Sequence, residues 1–300
     1  MSARARCAAL AALLMAGPAT AQVRGVYPTG MNAVNGGGLP AAGWAYSNLL
    51  ILNSRDERKD ADGNVIATGR QAIALDLNTF TFAGSAEAAG ATRYAATATI
   101  ILSRNSLTSD SGGELGEGAG LGDLFVQPFM IGWSTERTDF KAAYGFVAPT
   151  GRFEPQADDN VGAGYWTHAL SAGSTIRMGA SRRTALSGFL MYEIHGRQEG
   201  TGARPGDTVD VDGSLTRAFD GPAGSALLLG VAGYAQWQVS DAKDDDAVDA
   251  GRYRVYALGI AAQYVPAGSR GSFALRLYRE FDARETFEGV SLQLSGSIAF

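Results

Sequence analysis

Cysteine is nearly missing from the 300 residues: only Cys7 occurs, which removes disulfide frameworks, cysteine-ligated zinc and thiol catalysis from consideration. Long apolar runs are missing as well. The run at 8–16 is broken by Gly17 and Pro18, and no later stretch reaches the roughly 20 residues that a membrane-spanning helix requires. No segment sustains a helical period. Histidine is limited to His168 and His195, proline to 9 residues and charge to a below-average 18%, while glycine is abundant at 40. The net charge of −5 argues against nucleic acid as a partner.

What is present begins with a leader. Arg4 and Arg6 precede the apolar run at 8–16, and Ala19-Thr20-Ala21 forms a small-x-small cleavage site before Gln22, so residues 1–21 read as a secretory signal peptide. Cys7 lies inside it, without the Leu-Ala/Ser-Gly/Ala context of a lipoprotein cysteine. A chain exported without a lipid anchor or a spanning helix has two homes in a Gram-negative cell, the periplasm and the outer membrane.

Apolar periodicity separates the two. In VSLQLSGSIAF (290–300), Val290, Leu292, Leu294, Ile298 and Phe300 share one face of a strand, and Ser291, Gln293, Ser295 and Ser297 share the other. The same period of two predicts strands near 44–52, 71–82, 93–102, 123–134, 139–147, 167–177, 185–195, 208–217, 226–239, 253–265, 272–281 and 290–300. Ten such residues suffice for a tilted strand to cross a bilayer. The connections alternate in length. Long, charged ones at 53–70, 103–121, 148–166, 196–207 and 240–251 are separated by short ones such as TERT and PAGSRG. Long extracellular loops, short periplasmic turns and an even strand number describe an outer-membrane barrel, whose closure requires the last strand to pair with the first. We therefore expect an all-β fold: a transmembrane antiparallel up-and-down barrel of about twelve strands over 44–300, with 22–43 as a lead-in or partial plug.

Six blocks carry a family resemblance, in order over roughly the last 180 residues: GLGDLFVQPFMIGW (120–133), AAYGFVAPTGRF (142–153), NVGAGYWTHALSAG (160–173), MYEIHGRQEGTGARPGD (191–207), GVAGYAQWQVSD (230–241) and LRLYREF (275–281) with EGVSLQL (288–294). They resemble the outer-membrane proteins of the phenol meta-degradation pathway, also called the sphingosine-induced outer-membrane protein family. That resemblance implies an outer-membrane barrel for uptake of small hydrophobic or aromatic solutes. It also implies that the terminal aromatic, Phe300, is read by the outer-membrane assembly machinery.

If the apolar faces meet lipid, the opposite faces place Asp76, Asn78, Gln127, Glu193, His195, Asp210, Asp212, Gln236, Gln238, Arg276, Glu280 and Gln293 in the lumen, with Tyr234 and Tyr278 as inward aromatics. These groups either select solutes in a polar conduit or pair with one another and fill the interior. Glu193-x-His195 shares a strand face, as a carboxylate orienting a general-base imidazole would, but no serine stands in an evident nucleophile context. The acidic groups Asp60-x-Asp62, Asp158-Asp159 and 241–249 lack calcium-loop spacing and read as solvated loops facing lipopolysaccharide. Aromatics near strand ends, among them Trp44, Tyr94, Trp133, Trp166, Trp237, Tyr256 and Phe281, read as interfacial girdles. No cofactor is implied. The expected function is passive passage of small hydrophobic or aromatic compounds, with a closed structural or adhesion barrel and an outer-membrane hydrolase as alternatives.

Overall fold

Alternating side chains and Gly/Asp/Ser-rich turns fold into a computed structural model that describes residues 24–85, 93–155, 157, 159–243 and 251–300. The expected signal peptide, Asp158 and most of the acidic segment 241–249 lie outside these residues. Thirteen strands follow one another: β1 (Gly43–Lys59), β2 (Val65–Ser85), β3 (Arg93–Ser109), β4 (Gly113–Leu121), β5 (Leu124–Ser134), β6 (Thr138–Ala148), β7 (Thr167–Met178), β8 (Thr184–His195), β9 (Thr208–Asp220), β10 (Ala226–Gln238), β11 (Arg254–Val265), β12 (Gly271–Arg284) and β13 (Phe287–Ala299). β4 pairs with the outer half of β3 and β5 with its inner half, so the two form one stave and the barrel has twelve.

Every pairing is antiparallel, and β1 closes the ring against β13 from Ala45↔Ala299 to Arg58↔Phe287. The Phe300 amide adds one more bond, 2.8 Å to the Trp44 carbonyl. Closure leaves no free edge, which hydrocarbon would not tolerate. Each expected strand is present, and the last pairs with the first.

The two faces differ in the way a membrane wall demands. Along β12, Leu277 is 46% exposed on the outside, and its neighbour Tyr278 is 1% exposed on the inside. Leu, Ile and Phe side chains continue this outer band around the barrel. Aromatics edge it: Trp44 packs on Phe82 at 5.2 Å and Phe82 on Tyr94 at 6.3 Å at the end holding both β1's start and β13's finish, and Trp237 packs on Tyr256 at 5.7 Å at the other. Such a belt places the barrel in the outer membrane, with the short turns on the periplasmic side.

Two expected long loops are not loops. Residues 53–70 and 103–121 continue the ladders beyond the lipid band, through Lys59↔Val65 and Ser109↔Gly113, and reverse in short turns. Their charges misled the pattern reading, because a ladder with water on both sides needs no apolar face. Asp60 organises the first reversal by accepting the Asn64 amide at 2.8 Å and the Asp62 amide at 3.0 Å, so this acidic pair is a turn device. The connections at 149–166 and 196–207 are long loops as expected.

Register shifts at the outer ends of β1, β3 and β11 lie beyond the lipid band, whereas β5 is irregular within it. Pro128 has no N–H to give the ladder, and β5 bulges there against both neighbours, between Ala95 and Thr97 on β3 and between Val126 and Phe129 on its own strand. The bulge resets the alternation. Gln127 faces inward opposite Thr97, while Phe129 points out at 70% exposure.

Leu277 lies midway between the rim aromatics Phe273 and Phe281 of β12. Leu277→Arg should lower the unfolding free energy by about 2–4 kcal/mol, read from urea titration of vesicle-inserted protein, whereas Glu199→Arg in the exposed 196–207 loop should be near neutral.

Candidate functional site

The lumen is occupied by the chain itself. From Arg24, beside the β12–β13 turn, the segment 24–42 descends inside the barrel to Gly43, where β1 begins. It has no regular structure, so its backbone groups depend on the wall for partners. Asp212 of β9 takes two of them, the Gly30 amide at 2.8 Å and the Asn32 amide at 3.0 Å, together with the Tyr27 hydroxyl at 2.5 Å. Gln293 donates to the Thr29 carbonyl at 2.8 Å, Tyr278 to the Gly30 carbonyl at 3.0 Å and Ser214 to the Ala33 carbonyl at 2.7 Å. The glycine run at 36–38 now has a physical reason. A Cβ on Gly37 would stand 2.3 Å from the Asp139 carbonyl oxygen and 2.7 Å from the Thr175 nitrogen, so only glycine lets this backbone lie against β6 and β7.

At the outer end of the segment a buried ion network forms around Glu280. Its carboxylate receives Arg24 at 2.6 Å, Arg55 at 3.1 Å, the Tyr234 hydroxyl at 2.8 Å and the Gly289 amide at 3.0 Å. Two guanidiniums and two neutral donors compensate a charge that would be costly to bury alone. Arg24 thereby ties the segment to β12 and β13.

The other sequence candidates fall as follows. Asp210 accepts the Gln236 amide at 2.5 Å, and Gln238, half-buried at the outer rim, donates to the Ser240 carbonyl at 2.9 Å. Arg276 is buried on the inner face of β12. Glu193 and His195 share the inner face of β8 but hold separate partners. Glu193 accepts the Thr208 hydroxyl at 2.6 Å, while His195 Nδ1 lies 2.8 Å from Thr167 Oγ1 and the ring meets Tyr165 edge-on at 5.4 Å. The Glu193 and His195 side chains do not bond to each other.

Asp76 is a correction, and Asn78 with it. Both lie on the outer face of the wall. Asp76 pairs in register with Leu50 and Asn78 with Asn48, whereas the inward row consists of Ile73, Leu75 and Leu77 opposite Asn53, Ile51 and Leu49. Ile51 and Leu77 are 2% and 3% exposed inside. The assumption that bulky apolar residues face lipid fails on β1 and β2, because the lumen beside them is an enclosed chamber. A usable signal was the aromatic parity: Trp44, Phe80, Phe82 and Tyr94 mark the outward residues, and Asp76 shares the parity of Phe80 and Phe82.

This chamber of about 250 Å³ is the feature that sequence reasoning missed. Ile51, Ile73, Leu75, Leu77 and Ile101 form an aliphatic patch of its wall, with Asn53, Arg55, Gln71, Ser103 and Asn105 beyond it on the same strands, and Val26, Tyr27, Pro28, Thr29 and Met31 face them across the gap. Phe153 and Val161 of the 149–166 loop roof it. That loop is pinned by Asp123, which accepts the Ala163 amide at 2.7 Å and the Gly151 amide at 2.9 Å. The lumen thus has two sides: a largely polar one on β7 to β13 that binds Tyr27 to Ala33 of the segment, and one on β1 to β3, aliphatic around Ile51 and Leu77 and polar around Asn53 and Arg55, that borders open space.

Barrels of known structure share this architecture. An outer membrane channel from Pseudomonas putida F1 superposes with a TM-score of 0.70 at 16% identity, over 88% of this chain and 97% of that one. The β domain of the Bordetella autotransporter BrkA superposes with a TM-score of 0.58 at 11% identity, over 86% and 100%. No functionally curated protein matches in sequence. The profile of the family described as MetA-pathway of phenol degradation matches residues 55–295, and the chain belongs to that family.

Proposed function

We propose that the protein is a passive outer-membrane channel for small hydrophobic or aromatic compounds, and that the space between the 24–42 segment and β1 to β3 is their path. The observation that carries this is the inward aliphatic wall of Ile51, Ile73, Leu75, Leu77 and Ile101. An apolar solute loses its contact with water against this patch, while Asn53, Arg55 and Gln71 line the same space beside it. A dry cavity of about 150 Å³ lined by apolar side chains already holds benzene, so about 250 Å³ accommodates a single substituted ring. The family's link with phenol degradation supports the same solute class, and the Pseudomonas barrel of like architecture is an outer membrane channel.

In this reading the inward polar groups Glu193, His195, Asp210, Asp212, Gln236, Gln238, Arg276 and Glu280, with Gln127, Tyr234 and Tyr278, set selectivity mainly by holding the segment in place. Asp76 has no part in it. Removal of residues 1–21 on export leaves Arg24 near the new N-terminus, where its bond to Glu280 keeps the segment threaded as a plug. Phe300 serves as the signal for the assembly machinery, and the extracellular loops meet lipopolysaccharide. The density of bonds between segment and wall favours one alternative, a permanently closed structural barrel.

Two measurements separate these readings. Leu77→Asp should cut uptake of a labelled monocyclic aromatic at micromolar concentration by at least fivefold in a deletion strain expressing the variant, at unchanged barrel abundance. Equal uptake with and without the protein would sink the channel reading. Asp212→Ala removes three bonds to the segment and should raise single-channel conductance in planar bilayers severalfold; a silent wild-type barrel and a silent variant would favour the closed one.

A further inference from the structure

The outward placement of Asp76 leaves a polar stripe on a wall that should be apolar. Tyr46 and Asn48 of β1 stand beside Asp76 and Asn78 of β2, all on the outer face. Asp76 is six residues along β2 from the rim aromatic Phe82, which at about 3.3 Å per residue and a tilt near 40° is about 15 Å above the periplasmic rim, within a band about 25 Å tall. Asp76 therefore lies in the hydrocarbon, with Asn48 and Asn78 about 10 Å above the rim, while Tyr46 stands opposite Phe80 closer to the rim. An ionisable side chain in that position marks a contact with something other than lipid.

The stripe's own bonds leave capacity over. The Tyr46 hydroxyl donates to Asn78 Oδ1 at 2.7 Å, and Asn48 Nδ2 donates to Asp76 Oδ1. Asn78 Nδ2 reaches only its neighbour's carbonyl, at 3.4 Å. Asp76 Oδ2 takes no bond from any described residue. The stripe thus offers donors and acceptors together, so it is complementary to itself, where a stripe of one sign would call for a different partner.

Its flanks are complementary too. On the β13 side, Asn48 stands opposite Gly296, whose missing side chain opens a groove lined by Leu50, Phe273, Leu294 and Ile298. On the β3 side, Phe80 projects at 48% exposure next to Ala98. A two-fold axis along the membrane normal, passing through the stripe, brings the Phe80 flank of each copy against the groove flank of the other. Small residues such as Ala74, Ala98 and Gly296 let two walls approach closely enough for side chains to bond across.

We propose that this stripe is the two-fold contact between two copies of the chain in the outer membrane, with Asp76, Asn48 and Asn78 bonding across the axis and Phe80 entering the partner's groove. The contact lies outside the lumen and does not depend on what passes through it.

The test uses the full chain with Cys7→Ser, so that any introduced cysteine is the sole thiol. Ala74→Cys, in the contact, is compared with Val231→Cys, exposed on the opposite wall, by copper-phenanthroline oxidation in native outer membranes. Ala74→Cys should give a disulfide-linked species of twice the monomer mass, at least tenfold more than Val231→Cys. Adding Asn48→Leu and Asp76→Leu should reduce it at least fivefold, with folding verified by heat-modifiable gel migration. If that pair fails to assemble, Phe80→Ala should lower the product at least threefold. Absent or equal cross-linking at the two sites overturns the proposal, as does a product of another mass or one indifferent to both sets of changes.

Discussion

Backbone amides and carbonyls that cross a hydrocarbon layer must all find partners within the protein, because lipid offers none. In this chain the register of β1 on β13 satisfies that demand at the one place where a sheet would otherwise end. Much else follows from it. A closed ring of antiparallel staves needs an even number, so both ends of the barrel sequence return to the periplasmic side. The terminal strand has to be ordered to its last residues, which is why the Phe300 amide is still bonded to Trp44. Pro128, which cannot contribute a ladder bond, is accommodated by a bulge that displaces both neighbouring registers without opening the ring.

Closure also creates an interior, and the interior imposes a second condition. Carboxylates such as Asp212 and Glu280 face inward to avoid lipid, yet the enclosed space holds too little water to solvate each of them. The segment before β1 resolves this by offering its free backbone amides, Tyr27 and Arg24 to those same carboxylates. The exchange is mutual, since the strand-free segment satisfies only a few of its peptide groups internally, such as the Gly38 amide on the Asn35 carbonyl at 3.0 Å. It is also one-sided in space. Residues 27–33 lean mainly on the polar staves β8 to β13, and β1 to β3 keep the aliphatic Ile51, Ile73, Leu75 and Leu77, which need no partner, across from them. An apolar chamber beside a polar anchor is the outcome, and the two properties suit a path for solutes that avoid water.

The outer wall obeys the complementary rule, with cations such as Arg217 and Arg279 beside its rim aromatics, and breaks it in mid-band at the stripe of Asn48, Asp76 and Asn78. Around most of the circumference the exposed residues are Leu, Ile, Val and Phe, edged by aromatics. Tyr46, Asn48, Asp76 and Asn78 depart from this on two adjacent staves, and the departure coincides with the missing side chain at Gly296. A polar group in lipid and a groove next to it are separate features of the sequence that the barrel places side by side.

By itself the sequence determined the architecture. Alternation with a period of two, over segments of about ten residues, marked every stave that crosses the membrane. The alternation of long and short connections assigned the two ends, and the apolar last strand implied closure. These are local properties, set by the pleat and by hydration. On β8, β9, β10 and β12, where charged and amide groups gather on one face, the lumen residues Glu193, Asp210, Asp212, Gln236 and Glu280 were legible as well. The tertiary structure decided the rest. A period of two defines two faces but not which of them meets lipid, and on β1 and β2, where both faces carry apolar residues, only the register with aromatic-marked neighbours turned Asp76 out and Ile51 and Leu77 in. Charge could not distinguish a loop from a ladder rising into water at 53–70 and 103–121. The path of 24–42 was beyond any local pattern, because its bonds run to residues far along the chain that closure alone brings within reach.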